Sequence, residues 1–393
     1  MARPTEAITD RDATKPGWPS HYATAKMNVE SFMSDDMTMF SEEERELIRT
    51  SVNRLLADKW PALKAVELSA EPAAVKDIWT ELESLGVPDL GRDPAMGGLR
   101  EILLVFEELG RACCPAPLIG AVVANLVQKH VEGTSDTVVP SPTENLYAAG
   151  LGAFDGDLAA GQLTFAEGKA TGIAHFVEGA ATADRFIFLL NEPSGVAIVD
   201  ASAPGVSVGA TPALSLPDLS SVELTGAAAT FVPVPVDELK NIAQIVRLAT
   251  ASRALGSGQR GYELVVEHAG TRKQFGKFIG QFQAVQHRLV DNLIRLDGAR
   301  LTLDAAATAY DQKLETWATF ADLALAHLNP GLRQLAIDMH QLMGAIGYSE
   351  EHELPRHFRQ IHGNVSRFGG AFRARAEIGA YLVGGADSRL QGI

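Results

Sequence analysis

The residues in this chain best suited to chemistry are cationic and lie in one short stretch. Arg272, Lys273 and Lys277 flank Gln274, Phe275 and Gly276 at a break between two helical patterns, in a chain whose formal net charge is −15. A guanidinium offers a bidentate fork to phosphate, and a phenylalanine offers an aromatic face. Such a cluster suits a ligand carrying both phosphate and a ring. A structural alternative stands beside it: cations at a helix C-terminus complement its dipole, and the phenylalanine is buried. His357 and His362 have the side chain able to act as a base near neutral pH. Cys113 and Cys114 are adjacent and are the two cysteines of the chain, so no disulfide framework exists. That fits a reducing cytoplasm, with both thiols as small buried hydrophobes.

Elements of ordinary soluble protein must position these groups. With 46% hydrophobic and 21% charged residues over 393 positions, the chain reads as globular, with two to three domains. No apolar run reaches the length of about 18 residues that a membrane helix needs. The acidic balance disfavours nucleic acid. Residues 1–40 read as a loose polar arm without the apolar core of a secretory signal.

Residues 41–133 carry helical periodicity. Ser41 and Glu44 form a capping box, after which Leu47, Ile48, Val52, Leu55 and Leu56 recur at helical spacing. Further helices are expected over 73–85, 99–111 and 119–131. From 134 to 235 the texture changes to Gly, Ala, Thr, Val and Pro, with short apolar runs at 185–190 and 196–199, which predicts an antiparallel β domain. Residues 236–393 return to long Ala/Leu-rich stretches at 238–270, 281–310, 316–347 and 373–383, with Asn329-Pro330 suited to an N-cap and N1 where a helix restarts. The fold class is therefore mainly α with a central β domain: an N-terminal helical domain, a middle β domain and a C-terminal four-helix bundle.

The segment from Glu267 to Gln286 contains Arg272, Gln274, Phe275, Gly276, Phe282, Gln283 and Gln286 in order. It resembles the signature of acyl-CoA dehydrogenases, which are flavoproteins. Leu85-Gly86, Gly97-Gly98 and the stretch Glu107-Glu108-Leu109-Gly110-Arg111 are similar to that family's N-terminal domain. Gly179, Ala183-Asp184 and Ala203 to Val206 are similar to its middle domain. Gln341, Gly344, Gly347 and Tyr348, then Pro355 and Arg359, are similar to its C-terminal region. The resemblance covers about residues 40–385.

It implies FAD as cofactor, with Arg272, Gln274, Phe275 and Phe282 in contact with it, and Gln341, Gly344 and Gly347 approaching the same FAD from a neighbouring subunit. An oligomer follows, as does an acyl-CoA thioester of fatty or steroid type as substrate, with an electron-transferring flavoprotein as acceptor. The family's reaction begins with removal of an α-proton by a carboxylate. Members keep that glutamate at a Gly-Thr turn beyond the Arg359 region, or on the helix leading into the Arg272 signature. Here the turn reads Arg367-Phe368-Gly369-Gly370-Ala371, and no Asp or Glu occurs over 354–376 or over 239–262. Glu263 and Glu267 come two to three helical turns too late. No residue is assigned as the catalytic base. The middle domain also lacks the Thr-Glu-Pro and Gly-Ser-Asp stretch that lines the flavin ring. Two readings result: a subunit that contributes FAD contacts to a heterotetramer with a base-bearing homologous chain, or an autonomous dehydrogenase with an atypical base.

Overall fold

The computed structural model describes residues 40–92, 96–132, 138–154, 161–211 and 219–384. Of the expected arm, residues 1–39 lie outside these, as do 155–160 of the middle domain. Helix α1 (Glu42–Lys59) starts at the expected capping box: the Ser41 hydroxyl accepts from the Glu44 backbone, and the Glu44 carboxylate accepts from the Ser41 backbone at 2.7 Å. A short α2 (Ala65–Ser69) leads into α3 (Pro72–Glu83), α4 (Leu99–Arg111) and α5 (Leu118–Val131).

The strands follow: β1 (Tyr147–Gly150), β2 (Leu163–Ala166), β3 (Lys169–Glu178), β4 (Arg185–Leu190), β5 (Gly195–Asp200), β6 (Val206–Thr211) and β7 (Leu219–Pro233). Six lie in the order β1-β4-β5-β7-β3-β2, and β6 also pairs with β7. Every pairing is antiparallel except β1 with β4, which is parallel. Phe186, Phe188, Val199, Val222 and Leu224 form a small core of their own on this sheet.

Helix α6 (Val236–Thr271) has 36 residues, about 54 Å at 1.5 Å per residue. It is the axis of the molecule, packing against α4, α7 (Gln283–Asp311), α8 (Trp317–Met343) and α9 (Leu354–Ser366). The short hairpin β8 (Lys273–Gln274) and β9 (Lys277–Phe278) separates it from α7, and α10 (Gly370–Gly384) packs on α8. One helix expectation is corrected. The helix does not restart at Asn329-Pro330: Pro330 lies inside a continuous α8, whose packing overrides the local signal. Helix α9 lies in a stretch to which no element was assigned, and its buried face (Leu354, Ile361, Val365) meets the core.

Candidate functional site

The cationic cluster forms a projecting edge. Arg272 caps α6 through its backbone, and the chain then turns back through the β8–β9 hairpin. Phe275 and Gly276 make the tip, both left-handed at φ 52° and 79°. Phe275 is 92% exposed, so the buried-phenylalanine alternative is excluded. Its ring meets Phe282 edge-on, centroids 6.2 Å apart; Lys277 lies over Phe282 at 4.2 Å and Lys273 over Phe278 at 4.7 Å. Among the described residues, none of Arg272, Lys273 and Lys277 has a carboxylate partner. Unpaired cations beside exposed rings, in an acidic chain, fit the phosphate-bearing end of a dinucleotide.

The second predicted group lies at the end of α8. Gln341 is exposed and accepts a hydrogen bond from Arg288 at 2.6 Å. Gly344 closes the helix at φ 64° with open space around its Cα, so its backbone is free to be approached. Gly347 points inward instead, where a side chain would meet Met343 at 2.9 Å.

The two places that could hold a base face one another. Arg247 and Ala251 of α6, Asn329 of α8, and Arg367, Phe368 and Gly370 of the turn after α9 line one cavity of about 10 Å³. That is room for about one water molecule, whereas ligand sites run to about 300–1,000 Å³. The turn is tight, with Phe368, Gly369 and Gly370 all left-handed.

A carboxylate does lie beside the turn, from an element that gave no local signal. Glu178 ends β3, just after a bulge at which the β3–β7 register shifts and Phe176 adopts φ 59°. Bulges re-aim side chains, and this one sends Glu178 inward. It accepts from Arg253 Nη1 and Nη2 at 2.5 and 2.7 Å and from Arg367 Nη1 at 2.6 Å. Asn364 accepts from Arg253 Nε and Nη2 at 3.2 and 2.8 Å. Burial alone would raise the Glu178 carboxyl, but the two guanidiniums overcome it and hold it below its ordinary range. An anion so stabilised is a poor proton acceptor.

The histidines fare no better as bases. His357 is fully buried, with Nδ1 3.3 Å from Cys113 Sγ and Nε2 3.0 Å from Glu353 Oε1. Glu353 also accepts from Arg260 at 3.0 Å. Burial lowers the His357 pKa and pushes the Cys113 thiol well up. The His362 ring lies tilted against that of Phe358, centroids 4.2 Å apart, and burial lowers its pKa too. Glu263 is bound by Arg111 at 2.9 Å through both oxygens. A wider cleft, about 430 Å³, opens between α1, α4, α6 and α7 over Leu103, Leu104 and Leu255, and contains none of the residues expected to bind FAD.

Residues 239–370 match the family described as acyl-CoA dehydrogenase, C-terminal domain. The chain is 26% identical to the acyl-CoA dehydrogenase IpdE2 of Mycolicibacterium smegmatis over 337 residues, covering 83% of this chain and 95% of that one. Its fold is similar to a chain of the ChsE4-ChsE5 complex from Mycobacterium tuberculosis (TM-score 0.73, 23% identity, 88% and 99% covered). Butyryl-CoA dehydrogenase from Megasphaera elsdenii shares it as well (TM-score 0.74, 19% identity, 88% and 100% covered). Residues 239–370 thus match the C-terminal domain of acyl-CoA dehydrogenases, and the helical–β–helical order of the chain is the fold seen in that family.

Proposed function

We propose that this chain is a flavoprotein subunit of acyl-CoA dehydrogenase type, which contributes FAD contacts to α,β-dehydrogenation of an acyl-CoA thioester while a homologous chain supplies the catalytic carboxylate. One observation carries this reading. Both base positions open on the same small cavity, they hold no carboxylate, and the nearby Glu178 is neutralised by Arg253 and Arg367.

Arg272 and the two lysines would hold the pyrophosphate of FAD, and Phe275, exposed at the hairpin tip, would face it. When bound, FAD would supply the hydride acceptor. The exposed hairpin calls for a neighbouring subunit to cover it, and a two-component fold relative such as the ChsE4-ChsE5 complex makes a heteromer the natural assembly. Two free, buried thiols suit a reducing cytoplasm. No helix among the described residues is long and apolar enough to cross a membrane.

The test is the visible spectrum of the purified chain, alone and co-expressed with a base-bearing homologue. The expected result is activity on acyl-CoA only in the co-expressed complex. A chain that purifies yellow by itself and bleaches with an acyl-CoA overturns the reading.

A further inference from the structure

In most of the chain, buried charge is paired across neighbouring helices. One cluster differs, because it borders the small cavity between α6 and the turn after α9. Glu178, Arg253, Asn364 and Arg367 converge from β3, α6, α9 and the turn before α10. Arg253 is entirely buried, the Glu178 side chain is 3% exposed, and that of Arg367 is 11% exposed. Arg367 and Asn364 also line the cavity between the two base positions. Arg367 is anchored at both ends of its fork, to Glu178 and to the Phe176 carbonyl at 3.3 Å. Its guanidinium lies 4.5 Å from the centroid of the Phe368 ring, so the two side chains fill the turn together.

From this we infer that the Glu178–Arg253–Arg367 ion triad locks the cleft between α6 and the α9–α10 turn, so that this chain admits no acyl thioester at its own base positions. The inference rests on the subunit reading above and deepens it. The chain lends cofactor contacts, and the acyl group is seated in the partner's cleft. Arg253 and Glu178 serve as the anchor of the lock, and Arg367 is the bolt, held through its charge-assisted bonds to Glu178. The cavity that remains takes about one water molecule.

The lock is tested without flavin, partner or substrate. Ala251 lines the cavity and is 2% exposed. Ala251→Cys places a thiol inside the locked cleft, and iodoacetamide labelling of the native chain reads its access; the chain without this substitution corrects for Cys113 and Cys114. The expected result is slow labelling with Arg367 present, and labelling about tenfold faster or more when Arg367→Ala is added. Loss of a charge-assisted hydrogen bond shifts an opening equilibrium by that order. Arg367→Ala leaves the Arg253–Glu178 pair intact, and an unchanged circular dichroism melt confirms the fold. Equal labelling rates with and without Arg367 overturn the proposal.

A second measurement uses butyryl-CoA, with coenzyme A alone as reference, in calorimetric titrations of the isolated chain. The unaltered chain is expected to bind butyryl-CoA no more tightly than coenzyme A. Arg367→Ala/Phe368→Ala is expected to gain about tenfold for the thioester, at the scale of a buried aromatic's space. Preferential binding of butyryl-CoA to the unaltered chain overturns the lock. The two ideas fail separately: fast labelling of the locked cleft removes the lock and leaves the co-expression result standing, whereas acyl-CoA bleaching by the chain alone removes the subunit reading.

Discussion

Arg253 Nη1 and Nη2 reach the two carboxylate oxygens of Glu178 at 2.5 and 2.7 Å, across 75 residues of sequence and with neither side chain in contact with bulk water. Taking two charges out of water is costly, and geometry of this quality compensates only while both partners are present. Arg253→Met should therefore destabilise the chain by about 3–5 kcal/mol, because it leaves Glu178 buried with less compensation. Arg253→Met/Glu178→Met should recover most of that loss. Urea unfolding of both variants measures it, and equal destabilisation by single and double variants would contradict the account.

The same physics predicts the response to acid. Burial would raise the Glu353 carboxyl, but hydrogen bonds from His357 and Arg260 overcome it and hold its pKa at about 2, against an ordinary 4.5. A carboxylate depressed in the folded state contributes stability above its unfolded pKa and loses that contribution as pH falls towards 2. Unfolding free energy should fall through this window, and Glu353→Gln should flatten the dependence there. Denaturant midpoints recorded from pH 5 to pH 2 check the slope.

Arg272 has the opposite character, being exposed and without a carboxylate partner among the described residues. Arg272→Ala should leave the melting temperature unchanged and weaken FAD retention in the assembled complex by about 10- to 100-fold, the scale of charge-assisted bonds to phosphate. Arg272→Lys should restore only part of it, since an ammonium has no bidentate fork. Flavin released on dialysis gives the readout.

The crossing of α4 and α6 is close enough to exclude a methyl group. A Cβ on Gly256 would stand 1.8 Å from the Glu107 carbonyl oxygen, and one on Gly110 would stand 2.0 Å from that of Arg253. Either glycine-to-alanine change must push two backbones apart, and overpacking of that kind costs about 3 kcal/mol or more. Thermal melts of Gly256→Ala and Gly110→Ala test this, and a neutral result for both would refute the geometry.

Much of the fold was legible because its signals are local. The capping box at Ser41, the periodicity over 99–111 and the apolar run at 185–190 each act within a few residues, and the structure carries them at those places. The Glu107-Glu108-Leu109-Gly110-Arg111 stretch carries a likeness in sequence, and packing gives its reasons. Glu107 pairs with Arg300 at 2.7 Å, Glu108 with Arg49 at 2.9 Å and Arg111 with Glu263, while Gly110 lets α6 approach. The cationic hairpin was visible as a cluster; its exposure was not. Glu178 carries no local signal, since nothing within a strand announces that a bulge will turn its last residue inward. Pro330 misled in the other direction, because a local helix-start signal lost to the continuous packing of α8.

At the N-terminus of α4 the local cap reaches only the Gly98 N–H, which donates to the Glu101 carboxylate at 2.7 Å. The backbone N–H groups of Leu99 and Arg100 are met instead by Asp311 at the end of α7, at 2.6 and 3.2 Å, and burial raises that carboxyl to about 6. During synthesis α4 leaves the ribosome 212 residues ahead of the aspartate that completes it. The early helices thus cannot close as a finished unit while the chain is still growing. Their final fastening is co-translationally late, and a nascent chain halted before Asp311 would present α4 with a frayed leading turn.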